Sequence, residues 1–294
     1  MRSFFFIVNT RIGQQRIQQI ETLIQKYLPT SSCIVKKTEY GGHATVLAQE
    51  ALLNSNNIVV AVGGDGTVNE IVQVLATTST PLAIIPTGSG NGLARHCGIP
   101  LNTEQAVALL HNAQIVPIDL GRANATYFIS NAGVGFDALV CHAIQETKSR
   151  GLKMYIINVI KKYFRYKKDE YTLISDERTF QQKAFFLNIA NGKEFGYGFQ
   201  IAPLASMQDG LLDVVLVKNM NVAAGVRFVI DGWRQRLHIN NNCICFSVKK
   251  IIIEGKRLQY FQTDGDAHTC NGRCEIEIIK DGVQLLVPQL TQNL

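Results

Sequence analysis

Two short stretches hold residues able to handle phosphate, Gly63-Gly64-Asp65-Gly66-Thr67 and Thr87-Gly88-Ser89-Gly90-Asn91-Gly92. Glycines let backbone N–H groups approach an anion closely, and a helix start just beyond adds the positive end of its dipole. Ser89 and Asn91 add side-chain donors. Asp65 is the odd member, because an acid repels phosphate unless a cation intervenes. Its expected role is therefore Mg²⁺ coordination, directly or through water. A lone Gly-Gly-Asp-Gly reads equally well as a tight turn. Two such loops on neighbouring strand ends point to a nucleotide site. The Walker lysine pattern is absent, which excludes a P-loop NTPase.

The elements that must carry these loops alternate in the manner of an α/β domain. Phe4–Val8, Cys33–Thr38, Ile58–Val62 and Leu82–Pro86 read as strands. Gln14–Leu28, His43–Leu53 and Thr67–Ala76 read as helices between them. Short β-branched runs such as "IVVAV" suit strands buried on both faces of a parallel sheet. Both glycine loops leave the carboxyl ends of their strands, where ligands bind in open α/β sheets. From about Val116 short β-rich runs dominate ("YFIS", "YTLIS", "AFFLNIA", "LDVVLV", "CICFSV", "KIIIEG", "QYFQT", "CEIEIIK", "VQLLV"), as in a sandwich or barrel. Two helical insertions interrupt them, Ala138–Tyr166 and Val222–Trp233. The expected fold is α/β, a doubly wound nucleotide-binding domain over 1–120 followed by a β-sandwich domain over 121–294.

The chain has 294 residues, 46% hydrophobic and 18% charged, with a net charge of 29 − 23 = +6. That composition is globular and needs no disulfide or metal to fold. The apolar start "FFFIV" is too short for a signal peptide, and no window reaches the roughly 20 apolar residues that span a bilayer. Seven cysteines at irregular spacings read as free thiols in a reducing compartment, so a cytoplasmic location is expected.

"VGGDGTVNEIVQVL", "IIPTGSGNGLARHCGIP", "SNAGVGFDALV", "APLASMQDGLLDVVLV" and "TDGDA" stand in an order that resembles the diacylglycerol kinase family of soluble bacterial lipid kinases, related to sphingosine and ceramide kinases. The resemblance runs from Asn9 to the final strand. It implies an NAD kinase/diacylglycerol kinase-like architecture, with ATP and Mg²⁺ as cofactors and a lipid hydroxyl as acceptor. It implies that ATP contacts Asn9, Thr38, the loop Gly63, Gly64, Asp65, Gly66, Thr67 and Asn69, then Glu70 and Ser89. Gly88 and Asn91 lie close enough to join them. One of Asp264 and Asp266 is implied as the base that activates the hydroxyl, and the family's usual Asp-Gly-Glu is here Asp-Gly-Asp. On an extended segment two acids one residue apart face the same side, where they can share a metal or a proton. "SMQDGLLD" resembles a structural Mg²⁺ loop with Asp209 as ligand and Asp213 as a second acid. A "GSGN" loop also occurs in sphingosine kinases and tilts the acceptor toward a sphingoid base over diacylglycerol.

Lys148–Lys168 carries eight basic residues and no acid, with an apolar stripe at helical spacing, and suits peripheral contact with an anionic membrane. Nucleic acid is not an expected partner, because no second basic patch accompanies it. His268, Cys270, Cys274, Cys243 and Cys245 match no common zinc spacing. Trp233 reads as a core residue. An NAD kinase-like enzyme and a catalytically silent lipid- or nucleotide-binding regulator are the alternatives, and the oligomeric state, a homodimer included, stays open.

Overall fold

The structure, a computed structural model, describes residues 3–147, 162–196 and 199–289. The chain forms two compact units, Met1–Leu120 with Ile279–Leu294, and Gly121–Ile278.

In the first unit, strands β1 (Ser3–Val8), β2 (Ser32–Lys37), β3 (Asn57–Gly63) and β4 (Leu82–Pro86) run parallel in the order β2-β1-β3-β4. Helices α1 (Gln14–Tyr27), α2 (His43–Ala51), α3 (Asp65–Leu75), α4 (Gly92–His96) and α5 (Thr103–Asn112) connect them, and β5 (Gln114–Ala123) follows. Every residue of β3 and β4 is buried, as a parallel strand covered on both faces requires. Ile17, Ile20 and Ile24 of α1 and Val107 and Leu110 of α5 pack on Phe4, Phe6, Val60 and Ile85. The expected elements are present, with one displacement that matters: α3 begins at Asp65 rather than near Thr67, so the acid sits in the helix's first turn.

The second unit is antiparallel. Its strands are β6 (Thr126–Phe128), β7 (Asn131–Gly135), β8 (Asp169–Ser175), β9 (Thr179–Ala184), β10 (Phe186–Ala190), β11 (Glu194–Gly196), β12 (Phe199–Gln200), β13 (Leu212–Val217), β14 (Cys243–Val248), β15 (Lys250–Gly255), β16 (Tyr260–Thr263), β17 (Asp266–Thr269) and the start of β18 (Arg273–Val287). One sheet has the order β14-β13-β10-β7-β16-β17, and opposite it β18 pairs β15, which pairs β8, which pairs β9. Leu187, Ile189, Val214, Leu216 and Phe261 from the first sheet meet Leu173, Ile251, Ile253 and Ile276 from the second in one core. That is the sandwich. Helices α6 (Phe136–Thr147) and α7 (Val222–Trp233) flank it. Of the long insertion expected over Ala138–Tyr166, residues 148–161 lie outside the described residues.

The expected second domain, 121–294, ends early. "CEIEIIK" and "VQLLV", read as two strands, are one strand, β18, with Asp281 at φ 53°. Beyond that point Leu285 pairs in parallel with Leu82 of β4, and Val283, Leu285, Leu286 and Val287 are buried. Apolar burial returns the chain to the first unit.

Candidate active site

The two glycine loops touch backbone to backbone. A Cβ on Gly88 would lie 2.6 Å from Cα of Gly64, and one on Gly64 would lie 3.1 Å from Cα of Gly88. A Cβ on Gly63 would overlap the Thr67 side chain at 2.4 Å. These glycines are therefore required by packing, before any ligand is considered.

Asp65 joins the two loops. Its Oδ2 accepts the Asn91 N–H at 2.8 Å and its Oδ1 accepts the Gly92 N–H at 2.7 Å. Each oxygen of the first loop's acid thus holds the start of α4, in the second loop. The expected role in Mg²⁺ coordination, directly or through water, did not include these donors, which lie some 26 residues away and are chemically ordinary partners for a carboxylate. Asn91 sits in the left-handed region at φ 54°, and its side chain clasps Gly88, accepting from the N–H at 3.0 Å and donating to the carbonyl at 2.7 Å. Asn91 therefore shapes the loop from within. Ser89 is exposed.

Asn9, Thr38 and Thr67 gather at the ends of β1, β2 and β3. Asn9 Nδ2 donates to Thr67 Oγ1 at 2.8 Å, and Thr10 bonds Thr38 through both its N–H and its hydroxyl. Glu70 faces elsewhere. Its oxygens accept the N–H groups of Gly42 and Ala44 at the start of α2, which fastens α2 to α3. Asn69 accepts from Gln73 on its own helix. The N–H groups of Thr67 and Val68 bond the Gly64 carbonyl, those of Asp65 and Gly66 precede the helix's own ladder, and Thr87 Oγ1 is buried without a hydrogen-bond partner among the described residues. Open donors above a glycine cradle fit an anionic phosphate chain.

In the second unit the two acids of "TDGDA" separate. Asp264 and Gly265 have φ of 48° and 92° and form the two-residue turn of the β16–β17 hairpin, in which Thr263 pairs Asp266. Both turn residues at positive φ give the geometry that Asp-Gly favours. The segment is thus a tight turn and not extended, so the acids do not share one side. Asp264 points inward and accepts three backbone N–H groups, from Ile129, Ser130 and Asn131 at 2.8, 2.8 and 3.1 Å. Asp266 is exposed at the start of β17.

A buried polar network supports this hairpin, and the sequence reading missed it. Gln262 Nε2 donates to Asn131 Oδ1 at 2.8 Å, Gln262 Oε1 accepts the Gly265 N–H, and Asn188 also donates to Asn131. Asp137 of α6 closes the network beside Gln262 at 3.4 Å. Burial pushes its carboxyl up to about 7. The only signal in the sequence was a group of polar residues inside otherwise apolar runs.

Asp209 and Asp213 stand in and just after the loop before β13. Asp209 accepts the Leu211 N–H at 3.0 Å, and Asp213 accepts from Ser247 at 2.6 Å. Burial raises the Asp213 carboxyl above its ordinary range, and neighbouring Asp209 adds to the rise. Both acids offer oxygen, the donor type that a hard cation takes. Among the described residues no group of three His, Cys, Asp or Glu side chains gathers. His268 bonds Thr263 and Cys270 donates to Leu258, so the zinc candidates go separate ways.

A parallel α/β unit with paired glycine loops, followed by a unit with an antiparallel sandwich, is the architecture expected from the sequence. Residues 3–123 match the diacylglycerol kinase catalytic domain, and residues 130–285 match the YegS C-terminal NAD kinase beta sandwich-like domain. The chain is 34% identical to a "Probable lipid kinase YegS-like" of Pseudomonas putida over 67% of this chain and 68% of the other. It is 31% identical to "Diacylglycerol kinase" of Bacillus subtilis, covering 71% of each. A crystal structure of a diacylglycerol kinase from Bacillus anthracis str. Sterne shares the fold at a TM-score of 0.76 and 24% identity, covering 98% of this chain and 97% of that one. This protein belongs to the diacylglycerol kinase family of bacterial lipid kinases. No helix among the described residues is long and apolar enough to cross a membrane.

Proposed function

We propose that the protein transfers the γ-phosphate of ATP to a primary hydroxyl of a membrane lipid, of the diacylglycerol or sphingoid-base type. The observation that carries this reading is the Gly64–Gly88 contact locked by Asp65, a rigid cradle beside the N-terminus of α3. In it the backbone N–H groups of Gly64, Asp65 and Gly66 receive the phosphates, with Asn9, Thr38, Thr67 and Ser89 around them. Phosphoryl transfer asks the protein mainly to position and to neutralise charge. Asp65 is a positioning residue here, holding one loop to the other.

Of the two hairpin acids, Asp266 takes the proton of the lipid hydroxyl. Asp264 already accepts three N–H bonds and fixes the turn that presents Asp266. A general base needs a free lone pair within reach of the proton it removes, and the exposed Asp266 has one. Mg²⁺ bound with the nucleotide supplies charge neutralisation on the phosphate oxygens. The Asp209–Asp213 loop is the place for a second, structural Mg²⁺. The Bacillus subtilis relative's name supports diacylglycerol as acceptor, whereas the "GSGN" loop leaves the sphingoid base in contention.

The test is label transfer from γ-labelled ATP with Mg²⁺ to vesicles holding diacylglycerol, sphingosine, ceramide or phosphatidylglycerol, with soluble NAD as a control. Label in one lipid names the acceptor. Label only in NAD, or ATP binding without transfer to any acceptor, overturns the reading.

A further inference from the structure

Helix α7 buries one face and leaves the other bare. Phe228 packs edge-on against Phe186 at 5.8 Å between ring centroids, and a Cβ on Gly232 would strike the Phe199 ring at 2.2 Å. That packing fixes the helix's rotation. Val222, Val226, Val229, Ile230 and Trp233 then form a single outward stripe at positions i, i+4, i+7, i+8 and i+11. All five are exposed, Val222 at 80%, Val226 at 57% and Trp233 at 65%. Trp233, expected in a core, is one of the most exposed large apolar side chains among the described residues.

Cations border this stripe. Arg227, Arg234 and Arg236 are exposed on and just after α7. At its other end, Tyr163 donates to the Met220 carbonyl and Lys168 to Asn219, immediately before α7. These bonds bring Arg165, Lys167 and the 82% exposed Phe164 to the start of the stripe. The one acid between residues 218 and 242 is Asp231, and it is occupied by Asn240 and Arg227.

We propose that this face of α7, with the basic stretch 162–168, docks the protein on an anionic phospholipid bilayer. An apolar stripe ending in tryptophan and rimmed by arginines is the pattern of a helix lying in a membrane interface. A second copy of the chain would set the same cations against these, so the surface's charge calls for an anionic partner. The apolar stripe has no use on a nucleic acid. The choice of a bilayer as partner rests on the lipid-kinase reading, because an enzyme whose acceptor resides in a bilayer must settle on one, while the binding itself is carried by the stripe and its cations.

Trp233 is the chain's single tryptophan, so its emission reports on the proposed contact directly. The full-length protein is titrated with vesicles of phosphatidylglycerol and phosphatidylcholine, then with phosphatidylcholine alone, without ATP. A blue shift and co-sedimentation with the anionic vesicles only, both weakened by 0.5 M salt, are expected. Arg234→Gln with Arg236→Gln weakens vesicle affinity roughly 30-fold, from about 1 kcal/mol per cation at the surface. Val226→Glu with Ile230→Glu abolishes the blue shift while leaving the cooperative thermal unfolding transition in place, which shows that the variant folds. No shift with either vesicle overturns the proposal, as does binding that survives both pairs of substitutions. A shift that follows protein concentration without vesicles overturns it in favour of self-association. Because no step needs turnover, vesicle binding without kinase activity removes the kinase reading and leaves the docking surface standing.

Discussion

Replacing Gly88 by alanine tests whether the contact between the two loops sets the geometry of the nucleotide cradle. Carbon atoms rest about 3.5–4.0 Å apart, and the new Cβ would start 2.6 Å from Cα of Gly64. The loops must therefore separate by about 1 Å. That overpacking costs about 1–3 kcal/mol of stability. A displacement of that size in groups that orient phosphate is worth about 100-fold in kcat/KM. Gly64→Ala starts at 3.1 Å and needs roughly half the movement, so its loss is smaller, on the order of tenfold. Gly66→Ala meets no atom within 4 Å and sits in the first turn of α3, where alanine gains about 0.5–1 kcal/mol over glycine. It keeps or raises the unfolding midpoint yet weakens ATP binding, because the open space above it is where the phosphates lie. Titration with ATP and thermal unfolding of the three variants give the ranking. Wild-type ATP affinity in Gly88→Ala, or in Gly66→Ala, would refute the cradle.

Asp65→Ala removes the acceptor of two N–H groups and frees the second loop, lowering ATP affinity about 10- to 100-fold in the same titration. Asp65→Asn keeps one acceptor and falls between. Asp266→Asn retains ATP binding and the unfolding midpoint while label transfer to lipid is lost, whereas Asp264→Ala lowers stability by about 2–4 kcal/mol through three orphaned N–H groups, read by urea unfolding. Equal behaviour of the two would undo their assigned roles. Asp137 has its carboxyl raised from 3.8 to about 7 in the folded state, so the native state binds a proton that the unfolded state has released. Stability therefore falls as pH rises from about 4 to about 7 and levels off above, by up to about 4 kcal/mol. In Asp137→Asn that decline disappears from the urea midpoints measured across this range.

The parallel sheet was legible because its strands are continuous apolar runs separated by amphipathic helices, and burial on both faces leaves no other arrangement. The sandwich strands were legible for a related reason, β-branched residues bounded by turns. The glycine loops raised the expectation of a phosphate site through spacing alone. What each polar side chain does there was not legible. Asp65 and Glu70 bond N–H groups that start other helices, and only tertiary packing brings those donors near. The Asp264-Gly265 turn was readable as a hairpin, yet its three donors come from Ile129, Ser130 and the first residue of β7, more than 130 residues earlier. Likewise Trp233 looked like core because tryptophan usually is, and only the packing of Phe228 and Gly232 turns it outward.

The return of β18 has a consequence for synthesis. Leu82 receives its parallel neighbour Leu285 roughly 200 residues later, so the first unit's sheet stays one strand short while nearly the whole chain is being translated. During that interval β4 has an open, apolar edge, the kind of surface that chaperones hold and that pairs wrongly when left bare. A fragment ending at residue 120 keeps that edge permanently. Cutting the gene at the apparent domain boundary would therefore not yield a finished first unit.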